Sequence, residues 1–169
     1  MNTRISGKAF VFGDNLDTDQ IYPGQYLELA ATEEIRGHAL EGADPGFIKK
    51  CRPGDIIVAG TNFGCGSSRE HAAIALKAVG VGAILAESFA RIFYRNGINL
   101  GLPLIVCPGI AGRVAPGDSL SLDMENGTVR NQTSGEDLAA QPLTGYVLEI
   151  LRHGGIKPLV KRQLEAQGA

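Results

Sequence analysis

No run of apolar residues in this 169-residue chain approaches the roughly 20 that a membrane-spanning helix needs. No membrane association is therefore expected. The N-terminal Met1-Asn2-Thr3-Arg4-Ile5-Ser6-Gly7-Lys8 has no long apolar segment after its charges, so no signal peptide is expected and a cytoplasmic location follows by default. Charge of one sign is lacking as well. With 16 Lys and Arg against 18 Asp and Glu, nothing marks nucleic acid or an anionic membrane as the main partner. Cysteine is scarce: Cys51, Cys65 and Cys107 lie far apart with no Cys-x-x-Cys pair, which argues against a metal or cluster site made by this chain alone. Their odd number argues against a disulfide framework. Repeats and low-complexity tracts are missing, and the 23 glycines are spread along the chain as turn residues. A chain of this length is expected to form one domain over residues 1–169 with a proper core.

What is present is organised around Gly60-Thr61-Asn62-Phe63-Gly64-Cys65-Gly66-Ser67-Ser68-Arg69-Glu70-His71. The apolar run Ile56-Ile57-Val58-Ala59 leads into it, and alanine, leucine and isoleucine recur at helical spacing after it through Val79, which predicts strand, glycine turn and helix start. Glycines let a backbone pass close to a ligand, and the first helical turn offers unpaired N–H groups at the positive end of the helix dipole. Such a place binds anions. Ser67, Ser68 and Arg69 add two hydroxyls and a planar fork suited to a carboxylate. A plainer alternative is a capping box, Ser67-x-x-Glu70, in which the serine only satisfies a helical N–H. Cys65 is either a nucleophile or a small side chain packed under the turn, where no evident general base accompanies it.

Gly-Cys-Gly-Ser-Ser-Arg-Glu-His at 64–71, together with Gly13-Asp14-Asn15-Leu16-Asp17-Thr18-Asp19 and Ser88-Phe89-Ala90-Arg91-Ile92-Phe93-Tyr94-Arg95-Asn96, resembles the signature segments of the aconitase superfamily's swivelling domain, in family order and across nearly the whole chain. The form it resembles is the separate small subunit of the isopropylmalate dehydratase (isopropylmalate isomerase) enzymes. The resemblance implies an α/β fold of layered β/β/α type. It matches Ser67 to the catalytic serine and Ser68 and Arg69 to substrate-binding residues. It places Thr18 and Asp19 at the rim of the site, near the substrate or near Arg69. The segment Tyr26, Leu27, Glu28 and Leu29 matches a mobile loop that reads the distal end of the substrate. The implied partner is a large subunit in a heterodimer or heterotetramer, and the implied cofactor is a [4Fe–4S] cluster held by that subunit and not by this chain.

Along the chain, residues 4–13 read as a strand ending at a glycine, and Asp14 to Gln20 as an acidic turn-rich loop. Its aspartates lack the glycine and glutamate of a calcium loop, and Asp-Thr-Asp is equally compatible with turn chemistry alone. A helix capped by the Thr32 hydroxyl, a short helix near Phe47, strands at 83–88 and 101–107, and a helix from Phe89 to about Asn96 follow. Strand, helix and strand in succession predict a parallel crossover. Arg91 and Arg95 share a helix face and either pair with carboxylates, cap carbonyls or touch substrate. Leu120 to Val129, broken by Asn126-Gly127, predicts a hairpin, and residues 143–153 and 156–167 predict two helices, the last with an exposed basic face.

Dehydration next to a carboxylate needs a base for a weakly acidic C–H, positive charge for the carboxylate, and a Lewis acid for the departing hydroxide. Ser67 could be that base as an alkoxide, favoured by the helix N-terminus and Arg69. No residue of this chain offers the Lewis acid, so it is read as half an enzyme acting on a small hydroxy-dicarboxylate. Glu70, as a cap partner, and His71, as a residue ordering the loop, are supporting. The residue at Glu28 is acidic, which disfavours a second distal carboxylate and favours isopropylmalate, with homoaconitate, citramalate or 2,3-dimethylmalate as alternative substrates. A non-catalytic dicarboxylate-binding module is the competing class.

Overall fold

The computed structural model describes residues 2–168. Seven strands form one mixed sheet in the order β4-β3-β2-β1-β5-β6-β7, with β1 Arg4–Val11, β2 Ile56–Ala59, β3 Ala83–Ala86, β4 Leu104–Val106, β5 Ser119–Asp123, β6 Thr128–Asn131 and β7 Glu136–Ala139. On one side of β1 the pairing is parallel through β2, β3 and β4; on the other it is antiparallel through β5, β6 and β7. The helices are α1 Thr18–Ile21, α2 Thr32–Arg36, α3 Phe47–Lys50, α4 Glu70–Val79, α5 Arg91–Asn99, α6 Gly145–Arg152 and α7 Ile156–Gln167, with a 3₁₀ turn at Gly24–Tyr26. The parallel and antiparallel portions with a helical layer give the α/β, β/β/α class.

The sequence accounts for the two halves differently. Every residue of β2 and β3 is buried, and their unbroken Ile, Val, Leu and Ala content suits strands covered on both faces. In β5 and β6 burial alternates, so Leu120, Leu122 and Val129 face the core and their neighbours face outward. Strand β1 serves both halves by changing partner partway: Arg4 to Lys8 pair with β5, and Ala9 to Val11 pair with β2. At the changeover the buried Asp55 carboxylate accepts the Lys8 N–H at 2.9 Å and, through its other oxygen, the Arg52 N–H at 2.8 Å.

Several expectations shift. Thr32 opens α2, but Ala31 is its N-cap and no side chain caps it. Helix α5 begins at Arg91, not Phe89, because residues 88–90 still run strand-like against the glycine loop, with Phe63 N–H donating to Ser88 O (3.0 Å) and Ala90 N–H to Phe63 O (2.9 Å). The acidic loop contains α1, closed by a capping box at Asp17 and Gln20.

Candidate active site

The glycine loop carries the chain from β2 to α4 and lies against the 13–19 segment that leaves β1. Backbone bonds lock the two together: Asn15 N–H to Thr61 O, Gly64 N–H to Leu16 O and Thr18 N–H to Cys65 O, each 2.8 Å. Gly64 has φ +83° and packs on Phe93, whose ring would lie 2.3 Å from any Cβ there. Only glycine fits both demands. This clasp brings Thr18 and Asp19 to Ser67 and Arg69, which are about 50 positions away in sequence.

Ser67 is exposed, just ahead of α4. The N-cap of that helix is Arg69, with no side-chain cap bond, so the Ser67-x-x-Glu70 capping box does not form. Glu70 is exposed and is not a cap partner. The physical reason is that the loop stays extended through Arg69 (φ −77°, ψ 106°), which starts the helix two residues later than a serine cap requires. The Ser67 hydroxyl is instead 3.2 Å from the Thr18 hydroxyl, and the Ser67 N–H donates to the same Thr18 oxygen at 3.2 Å. Ser68 is exposed beside it. Among the described residues no carbonyl or side-chain oxygen receives the N–H groups of Ser68, Arg69, Glu70 or His71. The positive end of the ten-residue α4 is thus open next to two hydroxyls.

Arg69 is held by one nitrogen only. Its Nη1 donates to Asp19 Oδ1 at 2.7 Å and to the Tyr22 carbonyl at 3.2 Å, while Nη2 lies over Gly24 and gives no hydrogen bond to a described residue. That leaves one edge of the fork for a carboxylate. The Arg69 bond, followed by the Gly24 N–H, holds the Asp19 carboxyl below its ordinary 3.8. Thr18 differs from the expectation of a substrate contact: it is 2% exposed and sits beneath Ser67.

The 26–29 segment is tethered at three points. The Tyr26 hydroxyl donates to Glu41 Oε1 (2.8 Å) while its ring stacks on His38 at 3.5 Å. The Tyr22 hydroxyl donates to the Tyr26 carbonyl (2.7 Å), and His71 Nε2 donates to the Leu29 carbonyl (3.1 Å) with its ring stacked on Tyr22. Bonds from His38 and Tyr26 lower the Glu41 carboxyl, and the bond to Glu41 raises the Tyr26 hydroxyl. Leu27 and Glu28 project outward between these anchors. Tyr22, Gly24, His38 and Glu41 were not singled out from sequence. The pattern Asp17-x-x-Gln20 was the available signal, because it places a capped turn ahead of Tyr22.

Arg91 and Arg95 lie elsewhere, at a cavity of about 790 Å³ between α5 and α6, and neither pairs with a carboxylate or caps a carbonyl among the described residues. The loop uses the carbonyl of Cys65 and not its thiol. Burial pushes the Cys51 and Cys107 thiols up to about 11. No group of three or more His, Cys, Asp or Glu among the described residues is placed to hold a metal ion. No described helix is long and apolar enough to cross a membrane.

The model of the Aconitase C-terminal domain matches residues 44–107. A 3-isopropylmalate dehydratase small subunit 1 of Methanopyrus kandleri is 55% identical, covering 96% of both chains. A methanogen homoaconitase small subunit of Methanothermobacter thermautotrophicus is 53% identical over 90% of this chain and 88% of its own. The crystal structure of 3-isopropylmalate dehydratase (leuD) from Methanocaldococcus jannaschii superposes with a TM-score of 0.93 at 41% identity, covering 98% of each chain. The glycine loop and its serines thus sit in a chain that belongs to the aconitase superfamily, among the separate small subunits represented by 3-isopropylmalate dehydratase.

Proposed function

We propose that the chain, as one swivelling domain, is the small subunit of a hydro-lyase that interconverts 2-isopropylmalate and 3-isopropylmalate by dehydration and rehydration in leucine biosynthesis, in the cytoplasm. The observation that carries this is the placement of exposed Ser67 and Ser68 at the open N-terminus of α4 beside an Arg69 fixed by Asp19 and the Tyr22 carbonyl. Ser67 Oγ, as an alkoxide, takes the proton from the substrate carbon. The C–H electron pair forms the new C=C bond as hydroxide leaves the adjacent carbon, and rehydration adds water with the two carbons exchanged, hydroxide joining the carbon that lost its proton and a proton joining the carbon that lost hydroxide. Ser68 and the open edge of Arg69 hold the neighbouring carboxylate and its growing charge. Leu27 and Leu29 face the branched alkyl group, with His71 holding the Leu29 carbonyl and Tyr22 the Tyr26 carbonyl. The Lewis acid that assists hydroxide loss is a [4Fe–4S] cluster on the large subunit, with which this chain assembles as a heterodimer or heterotetramer.

The test is the complex with its large subunit. Ser67→Ala is expected to abolish turnover at a stability cost within about 1 kcal/mol, since the exposed hydroxyl touches only Thr18. Retained turnover in that variant rules out Ser67 as base. Homoaconitate is a second substrate reading, supported by the 53% identity to a homoaconitase small subunit. Glu28 opposes it, because a like charge near a distal carboxylate costs on the order of 1 kcal/mol. A higher kcat/KM for isopropylmalate than for homoaconitate is expected, and Glu28→Arg should narrow the ratio.

A further inference from the structure

We infer that Thr18 is a positioning residue that donates its hydroxyl proton to Ser67 Oγ and so orients and acidifies the Ser67 hydroxyl. This rests on the reading of Ser67 as the base. The direction of the bond follows from counting donors and acceptors. Thr18 Oγ1 accepts the Ser67 N–H at 3.2 Å, which uses one lone pair. Its own proton needs an acceptor within the protein, because the residue is 2% exposed and a buried donor left unpaired is costly. The one described acceptor in its reach is Ser67 Oγ at 3.2 Å. With that bond donated by Thr18, the Ser67 proton is left to point toward the exposed side, where it can be lost.

The arrangement is held from several sides. Thr18 N–H is tied to Cys65 O at 2.8 Å, and Asp17 forms a parallel bridge with Cys65, so α1 and the loop move as one. Gly66 (φ +103°) gives the hydroxyl its room: a Cβ there would stand 3.1 Å from Thr18 Oγ1. The backbone N–H that Thr18 accepts also makes its hydroxyl a better donor, since linked hydrogen bonds polarise one another. When Ser67 loses its proton the same bond becomes charge-assisted and strengthens. Neutral Ser67 gains less from it than the alkoxide does, and that difference lowers the barrier to forming the base.

The direct test uses the full chain without a partner. In a Ser67→Cys chain that also carries Cys65→Ser, the thiol at position 67 is titrated by its rate of alkylation with iodoacetamide against pH; Cys51 and Cys107, raised to about 11, stay slow. Thr18→Val is expected to raise that thiol pKa by about one unit, and Thr18→Ser to restore it. Thr18→Ala serves as the second variant if valine disturbs folding. An unchanged or lowered pKa in the hydroxyl-free variants overturns the proposal, because Thr18 would then be an acceptor or a bystander. In the assembled enzyme, Thr18→Val should lower kcat about 10–100-fold at unchanged KM, with activity recovered in Thr18→Ser. An equal rise in KM contradicts the proposal. If Ser67→Ala keeps its turnover, the base reading fails, while the thiol titration still decides the hydrogen bond.

Discussion

Asp19 and Arg69 make the ion pair on which the proposed carboxylate clamp depends, and its titration has a defined sign. Asp19 has a folded pKa below its ordinary 3.8, chiefly through the Arg69 bond. Its contribution is therefore fully present above that ordinary value and is lost as pH falls through the lower folded one. Between pH 5 and 8 the carboxylate does not change state, so pH effects on activity in that range arise elsewhere. Carbon-13 NMR of the Asp19 carboxyl should give a midpoint below 3.8 that moves up in Arg69→Gln while the Gly24 N–H still holds part of the shift. A wild-type midpoint at 3.8 would mean the pair does not persist in solution. Replacing the fork by Arg69→Lys should also raise the KM for the hydroxy acid, because a point charge cannot serve Asp19, the Tyr22 carbonyl and a substrate carboxylate in one plane.

At the scale of elements, the 24–29 segment owes its path to three tethers, of which the Tyr26 hydroxyl is the most exposed to test. Tyr26→Phe keeps the stacking on His38 and removes the hydroxyl's bond to Glu41 Oε1, while the Glu41 carboxylate stays paired with His38 through its other oxygen. Faster amide hydrogen exchange confined to residues 24–29, with little change in global stability, is the expected result. Gly64→Ala should behave in the opposite manner. A methyl group driven into Phe93 at a positive φ should cost about 2–4 kcal/mol in urea unfolding. The legibility of elements followed the same local logic. The runs Ile56–Ala59 and Ala83–Ala86, the helix ending at αL Gly80 and the terminal helix Ile156–Gln167 were visible because their periodicity and punctuation are intrinsic. Strand β7 was not, since Glu136-Asp137-Leu138-Ala139 has one buried side chain and gains its conformation from pairing with β6. The candidate site residues Ser67 and Arg69 were legible as a motif, and the resemblance set Thr18 and Asp19 near the substrate or near Arg69, but the Ser67–Thr18 hydroxyl pair and the bond from Arg69 to the Tyr22 carbonyl were not legible. Those two contacts span 49 and 47 positions and arise only once the two segments are clasped.

Across the whole molecule, β1 joins a parallel half that carries the candidate site to an antiparallel half. Asp55 closes the gap where the strand changes partners, so Asp55→Ala would orphan the N–H groups of Lys8 and Arg52 and should cost about 2–4 kcal/mol. A Tm shift is the measurement that checks it. Among the described residues no group of three or more His, Cys, Asp or Glu is placed to hold a metal ion, and under the proposed function mixing the chain with a large subunit should turn a catalytically silent protein into an active one; turnover by the pure, iron-free chain would refute this. The split allegiance of β1 also sets a timetable for synthesis. Lys8 is made early, but its partner Ser119 follows 111 residues later, a wait of roughly 5–20 s at ribosomal rates. During that interval β1 can find β2 while its other edge stands bare, so the nascent chain exposes an unpaired strand edge of the kind that chaperones shield and that aggregates capture.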